Sequence, residues 1–156
     1  MRREPRVLLV DDEPIFTDNV SRLLTSRGYK VEAVSNGASA IAALEENDTD
    51  VMVLDLKMPG MDGLTTLKET LKLGMHTEVL ILTGHGAVDS AVEALKLGAL
   101  DYLTKPCEID ELVEKIEEAA AKKYKSDDNE LERKVKLATE SPRSALSFFG
   151  RRSKSK

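Results

Sequence analysis

Short apolar runs and longer amphipathic stretches alternate along this chain in nearly equal steps. Arg6–Val10, Lys30–Val34, Val51–Leu54, Glu78–Leu82 and Leu100–Leu103 are short and rich in valine, isoleucine and leucine, and they read as strands. Pro14–Arg27, Gly37–Glu46, Gly63–Leu73, Val88–Leu97 and Glu108–Lys123 repeat apolar residues three and four apart, the spacing of one helix face. VMVL and VLIL are apolar without alternation, as expected of strands that helices cover on both faces. Gly28, Gly74 and Gly98 stand where helices should stop, and Asp62, Asp89 and Asp110 near where they should start. Five βα units therefore predict an α/β fold, a doubly wound five-stranded parallel sheet with right-handed crossovers. Periodicity leaves the order of its strands open.

Composition narrows the picture. With 156 residues, 41% hydrophobic and 33% charged, the chain can bury one ordinary core and carry an extension, but not a second catalytic domain. Residues 1–125 hold a net charge of −8 and residues 126–156 one of +3, so an acidic folded part is expected to precede a basic extension. Cys107 is the only cysteine, which excludes an intrachain disulfide and suits a reducing compartment. The start Met1-Arg-Arg-Glu-Pro leads into only four apolar residues, too few for a signal peptide, and no run reaches membrane-spanning length. A cytoplasmic location is expected.

The polar residues that close the apolar runs carry the chemistry. Asp11 and Asp12 follow VLLV, Asp55 follows VMVL, Thr83 follows VLIL and Lys105 follows DYLT. The carboxyl ends of all strands of a parallel α/β sheet open onto one edge, so these residues can converge in one crevice. Clustered carboxylates repel by about 4 kcal/mol per pair at an effective dielectric near 20, and need a cation. Oxygen ligands without histidine or cysteine suit a hard ion such as Mg²⁺, for which Asp12 and Asp55 are the natural direct ligands. Asp55 precedes the tight turn Lys57–Gly63 and is the best candidate nucleophile, one that would form an acyl phosphate on attacking phosphorus. Lys105 would help neutralise the phosphoryl oxygens and Thr83 would donate a hydroxyl to them. Taken singly, each residue has a plain structural role as a cap, a strand residue or a solvated charge. Their recurrence at successive strand ends favours the chemistry.

VLLVDDEP, VMVLDLKMPGMDGL, VLILTGHG and DYLTKP, in this order and spacing, resemble the motifs of receiver domains of bacterial two-component response regulators, over residues 6 to about 123. The resemblance implies a (βα)5, CheY-like and flavodoxin-like fold with strand order 2-1-3-4-5. It implies Asp55 as acceptor of a phosphoryl group from a histidine kinase or phosphotransfer protein. Asp11 and Asp12 are implied as the acidic pair that holds Mg²⁺ with Asp55 and the Lys57 backbone carbonyl. Thr83 and Tyr102 are implied as a switch pair, and Lys105 as the phosphate-binding lysine before a cis Pro106. Through the same resemblance, the Lys57 and His85 side chains flank the phosphoryl group and modulate its hydrolysis. Self-phosphorylation from a donor and slow self-dephosphorylation are expected, not a dedicated enzyme activity. A downstream protein would meet the face formed by the fourth helix, fifth strand and fifth helix. LTGHG and the run from Ala91 to Tyr102 are most similar to receivers of the nitrogen-regulator type. Cys107 departs from the aromatic residue common after Lys-Pro in this family and reads as a small packing residue, while Met58 and Met61 read as turn packing.

Two rival classes fit less well. Haloacid-dehalogenase-like phosphatases place a second aspartate two residues after the nucleophile, where this chain has Lys57 after Asp55. A flavin-binding module would want a Ser/Thr/Gly-rich phosphate loop where this chain has the acidic DDEPIF. In the extension, Ser126–Glu130 is expected to interrupt the last helix, and Leu131, Val135 and Ala138 to form one apolar stripe on a short helix ended by Pro142. Arg143–Lys156 has five basic residues, no acidic ones and the pair Phe148-Phe149, and is expected to be a disordered tail. Its candidate partners are an acidic protein surface, the receiver itself or anionic lipid, and direct nucleic-acid binding is not expected. These features predict a stand-alone receiver acting through protein contacts. The alternative is a truncated receiver of a longer nitrogen-regulator-type transcription factor.

Overall fold

The computed structural model describes residues 4–58, 60–84 and 87–140. Five strands and five helices alternate: β1 (Arg6–Val10), α1 (Pro14–Ser26), β2 (Lys30–Val34), α2 (Gly37–Glu46), β3 (Val51–Leu54), α3 (Gly63–Lys72), β4 (Glu78–Thr83), α4 (Val88–Leu97), β5 (Asp101–Thr104) and α5 (Ile109–Glu140). The strands form one parallel sheet in the order β2-β1-β3-β4-β5, the flavodoxin-type order. β3 is buried at all four positions and β1 at its last four, because helices cover both faces there. β2 lies at an edge and alternates only between exposed and half-buried positions. Leu8, Met52, Leu54 and Ile81 from the central strands, with Leu44 and Leu67 from α2 and α3, anchor the core.

Local chemistry sets the helix starts. Pro14 opens α1 with a φ already suited to a helix. Asn36 and Asp62 cap α2 and α3, each accepting a hydrogen bond at 2.8 Å from the backbone N–H three residues on, Ser39 and Thr65. Gly28, Gly74 and Gly98 take positive φ at helix ends, as expected from their places in the sequence. Gly63 is needed for a different reason. A Cβ there would fall on the Leu56 Cα and 2.6 Å from the Asp55 carbonyl oxygen, and the Gly63 N–H donates to the Leu56 carbonyl at 3.1 Å, so α3 starts hard against the end of β3.

The Asp62 cap makes a pH-dependent prediction. Hydrogen bonds from Thr65 hold its carboxyl below the ordinary value of 3.8. Asp62→Ala should cost about 1 kcal/mol in urea denaturation at neutral pH. That difference is fully present above the unfolded carboxyl's range and disappears as pH falls through the lower folded value. A gap between the two proteins that persisted in strong acid would assign the loss to something other than the charge.

Most element boundaries match the periodicity to within one residue, and the departures at β5 and α5 have identifiable causes. β5 begins at Asp101 rather than Leu100, since its ladder with β4 starts at the Leu80–Asp101 pair. The expected interruption at Ser126–Glu130 is absent: α5 is helical from Ile109 through Glu140. Serine, aspartate and asparagine are weak helix formers but not breakers, and no glycine or proline lies among them. The described residues fall into two units, 4–123 and 124–140. Within the second, Lys134 pairs with Glu130 at 3.4 Å and Lys136 with Glu140 at 3.5 Å, while Leu131, Val135 and Leu137 are exposed. Pro142, Phe148, Phe149 and the Arg143–Lys156 tail lie outside the described residues. Among the described residues no helix is long and apolar enough to cross a membrane.

Candidate functional site

The site is built on the carboxyl ends of three adjacent strands and one neighbour. The parallel ladder runs one residue past β1, β3 and β5: Asp11 N–H donates to Val34, Asp55 N–H to Val10 and Lys105 N–H to Thr83, at 3.1, 2.9 and 2.8 Å. These bonds hold three chemically active residues at sheet precision before their side chains diverge into loops. Thr83 is the last residue of β4 and is buried.

Carboxylate oxygens of Asp11, Asp12 and Asp55 lie within 4.8 Å of one another. Asp11 and Asp55 are buried, whereas Asp12 is exposed to the crevice mouth. Asp55 Oδ1 accepts the Thr83 hydroxyl at 2.8 Å and the Lys57 N–H at 3.2 Å. Lys105 Nζ donates to Asp11 Oδ2 and, at 2.9 Å, to Glu13 Oε1, and stands 3.7 Å from Asp55 Oδ2. Its ammonium also lies 4.3 Å from the centre of the Phe16 ring, within cation–π range. The Glu13 N–H closes a turn onto Asp11 Oδ1 at 2.9 Å.

Burial is the largest influence on the Asp11 carboxyl and pushes it above 3.8, although Lys105 and the Glu13 N–H pull the other way. For Lys105 burial again acts most strongly, here to lower the ammonium. The hydrogen bonds to Asp11 and Glu13 and the charges of Asp11 and Asp55 together outweigh it, and the net direction is upward from 10.5. Lys105 is therefore a permanent cation at neutral pH. One ammonium facing three neighbouring carboxylates and Glu13 leaves the crevice net negative, so the donor set of hard oxygens fits a divalent ion. Asp11, Asp12 and Asp55 are the residues that could hold it.

Of the residues expected at the site, Asp11, Asp12, Asp55, Thr83 and Lys105 gather at this edge. Lys57 brings its backbone N–H to Asp55 while the residue itself is exposed. Tyr102 is half-buried against the core, and the register sets Thr83 opposite Thr104, two positions from Tyr102, so Thr83 and Tyr102 share a sheet face. The Lys105-Pro106 peptide is cis. His85 lies outside the described residues. Cys107 is half-buried, and burial followed by Glu111 and Glu108 pushes its thiol up, away from thiolate chemistry. Met58 is buried in the core cluster. Glu13 and Phe16 were not singled out by sequence reasoning; the available signal was a third carboxylate directly after Asp11-Asp12 and an aromatic one helical turn along.

Fold and crevice together define a doubly wound α/β module with an acidic, metal-competent carboxyl edge. Residues 7–117 match the family model described as the response regulator receiver domain. The chain is 43% identical over 107 residues to the transcriptional regulatory protein TcrA of Mycobacterium tuberculosis, covering 69% of this chain and 42% of that protein. It is 42% identical over 115 residues to the transcriptional regulatory protein ZraR of Klebsiella oxytoca, covering 74% of this chain and 26% of that one. The signal receiver domain of a LuxO repressor protein from Vibrio parahaemolyticus superposes with a TM-score of 0.75 at 32% identity, over 80% of this chain and 96% of that domain. The chain belongs to the response regulator receiver family of two-component signalling. Such receivers interact with histidine kinases and generally use Mg²⁺ at an acidic pocket. The matched part spans less than half the length of these two curated relatives.

Proposed function

We propose that this chain is a phosphorylation-activated receiver whose acceptor is Asp55. The observation that carries the reading is the setting of the Asp55 carboxylate: it is buried, anchored by Thr83 and the Lys57 N–H on one oxygen, and faced by Lys105 on the other. In the reaction an Asp55 oxygen attacks the phosphorus of a phosphohistidine on a partner protein. A P–O bond forms, the N–P bond breaks, and the leaving imidazole takes up a proton. Mg²⁺ held by Asp11, Asp12, Asp55 and the Lys57 carbonyl would stabilise charge on the transferring phosphoryl oxygens. Thr83 and Lys105 supply the protein's own donors to the same oxygens.

Uptake couples to the surface through Thr83. A phosphoryl group brings about −1.5 to −2 charge, and the Thr83 hydroxyl would turn from the carboxylate toward it. Space on the shared sheet face would then admit the Tyr102 ring. The partner surface would be α4–β5–α5, where Val88 and Val92 sit exposed one helical turn apart on α4. Incubating the protein with Mg²⁺ and a small acyl phosphate should add one phosphate by intact mass, and a chelator should prevent it. Equal uptake with and without the metal would reject the acidic cluster as its holder.

The output has two readings. A stand-alone receiver would act in the cytoplasm through protein contacts alone. The share of TcrA and ZraR that the chain spans supports the second, in which it is the receiver portion of a longer transcriptional regulator. Sequencing the gene through both flanks decides between them.

A further inference from the structure

We propose that Glu13 and Phe16, at the start of α1, form a second seat for the Lys105 ammonium, so that Glu13 is a positioning residue that competes with Asp55 for Lys105; this rests on the acceptor reading above. An ammonium has three donors. Two are engaged, by Asp11 Oδ2 and by Glu13 Oε1 at 2.9 Å, while Asp55 Oδ2 at 3.7 Å is beyond hydrogen-bond reach. The Phe16 ring, in the first turn of α1 after Glu13, lies 4.3 Å from the same ammonium. In this state the lysine spends its hydrogen bonds on Asp11 and Glu13, and meets the carboxylate whose phosphoryl group it would neutralise only as a longer ion pair at 3.7 Å.

The two hydrogen-bonded carboxylates are not equivalent. Asp11 has 4% of its side chain exposed and would be left buried and unpaired if the ammonium departed, whereas Glu13 has 63% exposed and is rehydrated at once. Glu13 is thus the partner that Lys105 can release. A phosphoryl group on Asp55 offers more charge than one exposed carboxylate and draws the ammonium across. Removing the Glu13 charge shortens that competition.

Glu13→Gln should take up phosphate from a small acyl phosphate roughly two- to fivefold faster than wild type. Phe16→Leu should act in the same direction. Asp18→Asn, an exposed charge on the same helix, controls for general electrostatics and should stay near the wild-type rate. The Lys105 ammonium resonance of the full chain, recorded without Mg²⁺ or phosphate, should shift in Glu13→Gln and not in Asp18→Asn. An unshifted resonance, or a Glu13→Gln rate equal to that of Asp18→Asn, overturns the second seat. A wild-type chain that takes up no phosphate would sink the acceptor reading instead, and the resonance alone would then uphold or overturn the seat.

Discussion

Asp55→Asn is expected to abolish phosphate uptake altogether while leaving the fold intact. The amide cannot attack phosphorus to give a stable acyl phosphate, so the effect should be total and not graded. Its carbonyl oxygen can still accept the Thr83 hydroxyl and the Lys57 N–H, which preserves the hydrogen bonds that order the end of β3. Removing one of three crowded carboxylates also relieves repulsion, and the variant should unfold at a urea concentration no lower than wild type. Intact mass after treatment with an acyl phosphate reads the chemistry, and denaturation reads the fold. An added phosphate in Asp55→Asn would place the acceptor at another residue.

Lys105→Ala should be the next most damaging change, and for two separable reasons. Loss of one preorganised donor to the phosphoryl oxygens should slow uptake by about 10²–10³-fold. Loss of the ammonium from between buried carboxylates should also cost on the order of 3 kcal/mol of stability, because Asp11 is left buried without its counter-charge. The two effects respond differently to conditions. Burial already raises the Asp11 carboxyl above 3.8, and without Lys105 that push is unopposed by its strongest restraint. The folded variant then binds this proton more readily than the unfolded chain, so its stability falls as pH rises through the raised range and is recovered on acidification. Millimolar Mg²⁺ should restore part of the stability by binding only the folded state. Uptake within about threefold of wild type would remove Lys105 from the proposed chemistry.

How much of this was legible in the sequence depends on how local the signal is. VLLV and VMVL are apolar at every position because both faces are covered; VMVL coincides with β3, and VLLV fills β1 after its exposed first residue, Arg6. The order of the strands is not local: nothing in the periodicity places β1 between β2 and β3, and the order came only from resemblance of the strand-end motifs. The site residues were legible because each closes a strand, a place where an otherwise apolar run changes character. Glu13 was overlooked since a carboxylate one residue further along looks like the solvated start of a helix. Only the three-dimensional return of Lys105, 92 positions later, gives it a partner. The helix continues through Ser126–Glu130 because weak propensity is not a stop, and the flanking lysines and glutamates are good helix formers.

The close approach of Gly63 to Leu56 bears on the energetics of donor choice. Gly63 makes its near contact with Leu56 just past the end of β3, held by a backbone hydrogen bond, and the Asp62 cap fixes the first turn of α3 beside it. The ordering entropy of these backbone contacts beside Asp55 is therefore spent during folding, before any donor arrives. A reactant that brings little binding energy of its own would meet an acceptor already in position. Under the proposed chemistry, a small acyl phosphate could then stand in for a whole partner protein, whose larger interface would contribute selectivity among signals more than it contributes alignment of the reacting atoms.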